Sequence, residues 1–202
     1  MTEYGTAPPQ TTERWDELPG LLASAEGDSH ARDKVIALLY PELKRIAELQ
    51  MRRERPDHTL QATGLVNEFF VYLARSTTFT PRTRAHFLGL ASVVMRRLLV
   101  DYARARKRDK RGGQLVRVDM DQMDRGDAGH FVDLLEIDDL LTKLAVSDDR
   151  MAHVVEMRFF GGLTNAEAGE VLGVNERTVK RDWQVARAWL YSQLRRDGAH
   201  GP

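Results

Sequence analysis

Hydrophobic residues recur along this chain at the three- and four-residue spacing of an amphipathic helix, in one segment after another. The spacing predicts a first helix over residues 14–25 and a second over residues 31–53. Pro41 lies inside the second segment, where it either kinks the helix or occupies the first turn of a new one. Because no sustained alternation of apolar and polar residues predicts strands, we expect an all-α protein.

The third and fourth predicted helices, over residues 63–75 and 84–110, differ in what lies outside their apolar face. In the third, the side chains outside the apolar stripe are Asn67, Glu68, Val71 and Tyr72. The fourth is broadly apolar over its first two-thirds and almost wholly basic over its last third, and Gly112 and Gly113 end it. A helix that begins in a core and leaves it as a cationic arm fits contact with nucleic acid.

The helices fall into two groups. Between them, residues 113–133 are acidic, contain glycine and lack periodicity, which predicts a flexible linker. The second group has four segments, over residues 134–144, 148–160, 165–172 and 176–195. We therefore predict two small helical domains, over residues 14–112 and 134–196, with a disordered N-terminal tail over 1–13 and a C-terminal tail over 197–202.

The net charge of +0 conceals a strongly uneven distribution. Nine basic residues lie between positions 96 and 117, opposed only by Asp101 and Asp109. The stretch that follows, to position 149, contains ten Asp and Glu residues and only Arg125 and Lys143 in opposition. A basic block followed by an acidic block indicates a local phosphate-binding surface, although a solvated helix face would carry the same charges.

The chain contains no cysteine, which excludes disulfide bonds and thiolate metal sites. No apolar run approaches the roughly 18 residues of a membrane span, and the first residues lack the pattern of a secretory signal. The six histidines are scattered without the spacing of metal ligands. We expect a cytoplasmic protein that holds no metal ion and no cofactor.

The sharpest local signal lies in the second predicted domain. Thr164 followed by Glu167 predicts a capping box at the start of a short helix, Gly173 predicts a left-handed turn, and Asn175 caps the last helix. A short helix, a glycine turn and a longer helix with basic first turns make a helix-turn-helix, in preference to an ordinary helical hairpin. Its candidate DNA-binding residues are Glu176, Arg177, Thr178, Lys180, Arg181 and Gln184.

These residues resemble a known family. Residues 164–183 are similar to the promoter-binding region four of sigma-70-type RNA polymerase sigma factors, and residues 155–162 to its preceding helix. Residues 54–63 and 96–106 resemble region two of the extracytoplasmic-function (ECF) group. The resemblance covers about residues 21–195 and implies a region-two helical bundle joined by the linker to a region-four helix-turn-helix.

The resemblance implies a role for each segment. The third helix would bind the clamp coiled coil of the polymerase β′ subunit through Asn67, Glu68, Val71 and Tyr72. The loop after it and the fourth helix would bind the melted minus-ten promoter element, and the last helix would recognise the minus-thirty-five element as duplex. The implied minus-ten residues are Phe79, Arg82, Arg84, Arg96, Arg97, Arg104, Arg106, Lys107 and Arg108. Phe79 would either stack on an unpaired base or anchor its loop.

The resemblance also implies protein partners. The 148–160 helix would present Val155 and Phe159 to the flap of the polymerase β subunit, and an anti-sigma factor is a possible further partner. Initiation requires no reaction chemistry from this chain, so we expect that it is not an enzyme.

Two other classes of function remain as alternatives. An operator-binding regulator that acts without polymerase would explain the helix-turn-helix but would leave residues 63–111 without a task. A metal-dependent nucleic-acid enzyme would use Asp119, Asp121, Asp124 and His130, but their aperiodic stretch offers no scaffold that would fix ligands.

Overall fold

The computed structural model describes residues 13–25, 27–51, 61–76, 81–109, 117–119 and 131–198. Its N-terminal half contains α1 (Glu13–Asp16), α2 (Leu18–Ser24), α3 (Ser29–Met51), α4 (Ala62–Arg75) and α5 (Arg84–Asp109). Two short strands follow, β1 (Arg117–Asp119) and β2 (Phe131–Asp133). The C-terminal half contains α6 (Leu134–Ser147), α7 (Asp149–Val155), a π-helical turn (Glu156–Phe160), α8 (Asn165–Leu172) and α9 (Glu176–Gly198). The predicted all-α class is confirmed.

The first predicted helix is in fact two helices, α1 and α2, which are separated at Glu17. Pro19 lies in the first turn of α2, a position where its fixed φ and missing N–H are tolerated, so the chain begins a new helix there. Pro41 has the opposite outcome, because α3 continues through it from Ser29 to Met51. Leu39 and Leu43, on either side of this proline, are fully buried and hold the two parts of α3 on one core.

A two-stranded antiparallel ribbon lies within the segment that was predicted to be an aperiodic linker. Arg117 is opposite Asp133, and Val118 is opposite Val132. Strands of three residues are too short to show alternation in the sequence, so periodicity does not detect them. The ribbon places the residues that precede α6 beside those that follow α5.

The apolar core is continuous across both halves of the chain. It extends from Trp15 in α1 to Leu190 in α9. Phe69 and Phe87 are fully buried, with ring centroids 6.4 Å apart. In the C-terminal half Phe159 is 1% exposed. The predicted domains therefore pack against each other, with α5 in contact with α6, the π-helical turn and α8.

No helix among the described residues is both long and apolar enough to cross a membrane.

Candidate nucleic-acid interface

The α8–turn–α9 unit is a helix-turn-helix whose ends are fixed by local hydrogen bonds. Thr164 Oγ1 accepts from Glu167 N at 3.1 Å, and Thr164 N donates to Glu167 Oε2 at 2.8 Å, which completes the predicted capping box. Gly173 has φ +65°, the left-handed conformation that favours glycine. Asn175 Oδ1 accepts from Thr178 N at 2.8 Å and caps α9 as predicted.

The carboxylate of Glu167, which caps α8, accepts hydrogen bonds from two residues, Thr164 and Arg84. Burial alone would raise the pKa of Glu167, but the hydrogen bonds from Thr164 and the nearby guanidinium of Arg84 outweigh it and hold the pKa below its ordinary value. Arg84 Nη1 donates to Glu167 Oε1 at 2.7 Å. The carboxylate is therefore ionised and joins the start of α8 to α5.

Gly169 determines how closely α8 approaches the turn, a role that the sequence interpretation missed. A β-carbon at Gly169 would lie 2.6 Å from the carbonyl oxygen of Val174, closer than real β-carbons approach backbone oxygens. Val174 N also donates to Gly169 O at 3.0 Å. A small residue in the middle of the short helix was the only sequence signal of this close approach.

One face of α9 is packed and the opposite face is exposed. Val179, Trp183, Ala186 and Leu190 are buried, at the three- and four-residue spacing of an amphipathic helix. The exposed face presents Glu176, Arg177, Lys180, Arg181 and Gln184, which line one concave surface. The predicted sixth member, Thr178, is half-buried, and its hydroxyl donates to Asn175 Oδ1 at 3.0 Å. Thr178 therefore serves the cap of the helix, and its hydroxyl proton is not available to a base.

A second cationic feature adjoins this face, on the flank of α9. A cavity of about 420 Å³ is lined by cationic, aromatic and amide side chains, among them Arg158, Asn165, Lys180, Trp183, Arg187 and Tyr191. The Arg158 guanidinium lies 5.0 Å from the centroid of the Trp183 ring. Burial lowers the pKa of Arg158, against the opposing charge of Glu176. Arg158 Nε and Asn165 Oδ1 are buried and have no hydrogen-bond partner among the described residues.

Sequence interpretation missed Arg158 because it assigned residues 148–160 to polymerase contact. The available signal was an arginine in the mainly apolar segment Val154–Phe160, where a charge is costly unless it has a partner or reaches solvent. Asp182 was missed as well. Its carboxylate is buried, and Arg150 Nε donates to Asp182 Oδ2 at 2.7 Å, which joins α7 to α9.

The predicted polymerase-binding residues share the outer face of α4. Asn67 and Glu68 are exposed, Val71 is 45% exposed, and Tyr72 is half-buried. Leu65, Val66 and Phe69, on the opposite face, belong to the core. The helix thus presents an apolar side chain, an aromatic ring, an amide and a carboxylate together.

The predicted minus-ten residues differ in their exposure and in their partners. Arg82, Arg97, Lys107 and Arg108 are exposed. Arg84 and Arg104 are engaged in ion pairs, Arg84 with Glu42 and Glu167, and Arg104 with Asp138. Phe79 lies outside the described residues. Arg106 lies in α5, but its side chain is not among the described ones.

The prediction of a continuous basic arm is wrong at Arg96. It is 8% exposed and donates to Glu156 Oε1 at 2.6 Å and to Asp138 Oδ1. Its guanidinium also lies 5.9 Å from the centroid of the Phe160 ring. Residues 96 and 97 are about 100° apart around a helix, so Arg96 faces the C-terminal half whereas Arg97 faces solvent.

The apolar surface expected to meet the polymerase flap is likewise covered. Val155 is fully buried and Phe159 is 1% exposed. The π-helical turn that contains Phe159 packs against α5. In this arrangement neither side chain is available to a partner.

Only one of the four candidate metal ligands of the enzyme alternative lies in the described part of the chain. Asp119 lies in β1, whereas Asp121, Asp124 and His130 lie outside the described part of the chain. Within that described part, no group of three or more potential metal-ligating side chains occurs.

Comparison with protein-family models gives one match that covers most of the chain. A model described as "ECF sigma factor" matches residues 19–196 of the 202 residues. A search of curated proteins found no match. The match includes parts of both halves of the chain, the exposed face of α4 and all of the helix-turn-helix except the last two residues of α9.

Proposed function

The chain belongs to the ECF sigma factor family, and we propose that it binds core RNA polymerase through the outer face of α4 and recognises promoter DNA through α9 and α5. The observation that carries this proposal is the presence, in one chain, of a cationic helix-turn-helix face and a separate exposed face on α4. Initiation factors of this kind act at the chromosome, which places the proposed site of action in the cytoplasm.

The outer face of α4 suits a partner helix. Val71 gives it an exposed apolar centre, and Asn67 and Glu68 provide polar groups at its edge. A partly apolar helix face with a polar edge is a common way to bind a helical partner. The clamp coiled coil of the β′ subunit is the partner that the family implies.

The α9 face suits the major groove of duplex DNA. Arg177, Lys180 and Arg181 are exposed within its first two turns, and Gln184 lies one turn further. Arginine and lysine donate to guanine, and glutamine pairs with adenine. The minus-thirty-five element is the proposed duplex target.

The cavity on the flank of α9 supports the same proposal. Arg158, Lys180 and Arg187 surround it, and the Arg158 guanidinium is held over the Trp183 ring. Cations fixed beside a recognition helix bind backbone phosphates and set the register of that helix on the duplex. We assign Arg158 and Arg187 to this task.

Promoter opening requires a preference for single-stranded DNA. Flipping or unstacking bases costs a few kcal/mol, and binding of the separated strand offsets that cost. The exposed cations Arg82, Arg97, Lys107 and Arg108 in and beside α5 are the proposed contacts to its backbone. An anti-sigma factor that covers one of these faces is a further proposed partner.

Two double variants separate the proposed surfaces. Arg177→Ala/Lys180→Ala should weaken binding of the holoenzyme to promoter duplex about tenfold or more, while co-elution with core polymerase on a sizing column is unchanged. Asn67→Ala/Glu68→Ala should weaken co-elution and leave the α9 face intact. Each pair is the control for the other when promoter binding is compared at equal amounts of assembled holoenzyme. Weaker core binding by the α9 pair, or weaker promoter binding per holoenzyme by the α4 pair, would contradict the assignment.

A further inference from the structure

A buried carboxylate lies in the middle of the helix whose exposed face is proposed to read duplex DNA. The side chain of Asp182 is 1% exposed. It lies in α9 between Arg181, which is exposed, and Trp183, which belongs to the core. A buried carboxylate is costly unless hydrogen-bond donors satisfy it. The donors that Asp182 has therefore indicate what its charge does in this helix.

Two guanidinium groups lie against the carboxylate of Asp182. Arg150 Nε of α7 donates to Asp182 Oδ2 at 2.7 Å. Arg181 Nη2 lies 3.5 Å from Asp182 Oδ1, at the outer limit of a hydrogen bond. The hydrogen bond to Asp182, and secondarily the charge of Asp182, raise the pKa of Arg150 above its ordinary value. We name Arg150 and Asp182 the α7–α9 pair.

The α7–α9 pair lies on the side of α9 that is opposite to its exposed face. Asp182 is two residues away from both Lys180 and Gln184, which corresponds to about 200° around a helix. Lys180 and Gln184 are exposed, whereas Asp182 is buried and bonded to α7. The pair therefore holds the helix from behind, at the level of the side chains that are proposed to contact DNA.

The pair adds a directional contact to a packed face that is otherwise largely apolar. Val179, Ala186 and Leu190 attach this face of α9 to the core, and apolar attraction has no preferred direction. A charge-assisted hydrogen bond, in contrast, requires a narrow range of distance and angle. Rotation of α9 by about 10° would move a side-chain end about 6 Å from the helix axis by about 1 Å. Such a shift is enough to break a hydrogen bond to a base edge.

We propose that Asp182 is a positioning residue for duplex recognition, which fixes the rotation of α9 through Arg150 so that the exposed side chains of α9 reach base edges. The inference deepens the proposed function and rests on it, because the minus-thirty-five duplex is the ligand that α9 is proposed to read. Phosphate contacts depend on charge attraction, which acts over a longer range than a hydrogen bond to a base. Loss of the pair should therefore reduce specificity for a sequence more than affinity for DNA in general.

An electrostatic role for Asp182 predicts a different result. Its carboxylate is an anion in a helix with a cationic face, so removal of the charge would favour the binding of any duplex. A role through charge alone would therefore tighten binding to every sequence by the same factor. A positioning role weakens binding to the recognised sequence and leaves binding to other sequences unchanged or slightly tighter.

The test compares two duplexes that differ only in the upstream element. Holoenzyme, assembled from the full chain and bacterial core RNA polymerase, selects duplexes from a randomised library, and the minus-thirty-five element of one selected duplex is then scrambled. The specificity ratio is the affinity for the selected duplex divided by the affinity for the scrambled one, and it is measured for the holoenzyme and for the free chain. Asp182→Asn keeps the shape of the side chain and should lower this ratio about tenfold, within the range of coupling between contacting residues.

Two single variants separate positioning from charge. Arg150→Lys keeps the net charge but lacks the planar donor group of arginine, so its specificity ratio should lie between those of the wild type and Asp182→Asn. Asp149→Asn is the control for the loss of a negative charge, because Asp149 adjoins Arg150 in α7 and its side chain is 74% exposed. The specificity ratio of this control should equal that of the wild type.

A double variant separates positioning from stability. Arg150→Met leaves the buried carboxylate of Asp182 without its partner from α7 and should lower the midpoint of urea unfolding. The further change Asp182→Asn removes that unpaired charge, so Arg150→Met/Asp182→Asn should recover most of the midpoint. The specificity ratio of the double variant should nevertheless stay low, because the directional contact between α7 and α9 is still absent.

The outcomes distinguish failure of this inference from failure of the proposed function. Equal specificity ratios for the wild type, Asp182→Asn and Arg150→Lys would overturn the positioning role. A ratio that recovers together with the urea midpoint in the double variant would also overturn it, because the pair would then serve stability alone. Failure of the wild-type chain to bind core rejects the proposed function, and the ratio of the free chain then decides the role of Asp182. If neither holoenzyme nor free chain selects a duplex, both proposals are overturned.

Discussion

Gly20 and Gly169 allow the packing of the helix-turn-helix to be tested with one substitution at two sites. Both lie inside helices, α2 and α8, and neither is among the described glycines with positive φ. A β-carbon at Gly20 meets nothing within 4 Å, whereas one at Gly169 would lie 2.6 Å from Val174 O. The same change to alanine should therefore alter stability in opposite directions.

The magnitudes follow from two opposing effects. Alanine in place of a helical glycine stabilises by about 0.5–1 kcal/mol, because the unfolded chain loses freedom. Gly20→Ala should raise the free energy of unfolding by up to that amount. At Gly169 the gain is outweighed by overpacking, which costs about 1–3 kcal/mol, because the carbonyl of Val174 must move. Gly169→Ala should therefore lower the free energy of unfolding by about 1–2 kcal/mol and lower the Tm by about 2–8 °C.

Urea unfolding followed by far-ultraviolet circular dichroism measures both free energies of unfolding. The slope against urea should match that of the wild type, so that a shift in midpoint reports stability. Gly169→Ala should also weaken duplex binding, because the displaced carbonyl adjoins Asn175, which caps α9. If Gly169→Ala is as stable as the wild type or more stable, the inference that α8 approaches the turn closely at Gly169 is wrong.

Three further predictions concern the cap, a histidine and the phosphate cavity. Thr164→Ala should lower the free energy of unfolding by about 1 kcal/mol in the same urea assay, because the amide of Glu167 loses its acceptor. Thr164→Ser keeps a hydroxyl acceptor and should therefore keep most of that stability. Burial, and secondarily the charge of Arg82, lower the pKa of His86, and His86 Nδ1 accepts from Arg82 N at 3.2 Å. The unfolded chain therefore binds this proton more readily, so stability present above about pH 6.5 should fall as pH drops toward the folded pKa; His86→Gln should flatten that slope, and an unchanged slope would contradict the assignment. Arg158→Ala should reduce the slope of log binding constant against log salt concentration by about 0.9 on promoter duplex, and an unchanged slope would remove Arg158 from the phosphate contacts.

The helix-turn-helix could be predicted from the sequence because its signals are local. Helix α8 was predicted over residues 165–172 and is found at Asn165–Leu172. The capping box and the left-handed glycine depend only on residues within one turn of the chain. The buried stripe of α9 followed from periodicity for the same reason, since a single amphipathic helix carries its own pattern.

The state of the α5 cations could not be predicted, because it depends on contacts between distant parts of the chain. Arg96 pairs with Glu156, sixty positions away, and nothing near Arg96 in the sequence marks that partner. The burial of Phe159 could not be predicted either, because the π-helical turn that contains it packs against α5, which is distant in the sequence. Periodicity shows which face of a helix is apolar, but it does not show what covers that face.

Reconstituted transcription tests the central claim most directly. The purified chain is combined with bacterial core RNA polymerase and a pool of genomic fragments, and the ends of the run-off transcripts are mapped. The account predicts that the chain co-elutes with core and produces discrete start sites that core alone does not use. Failure to bind core, together with tight binding of the free chain to a specific duplex, would contradict it and favour an operator-binding regulator.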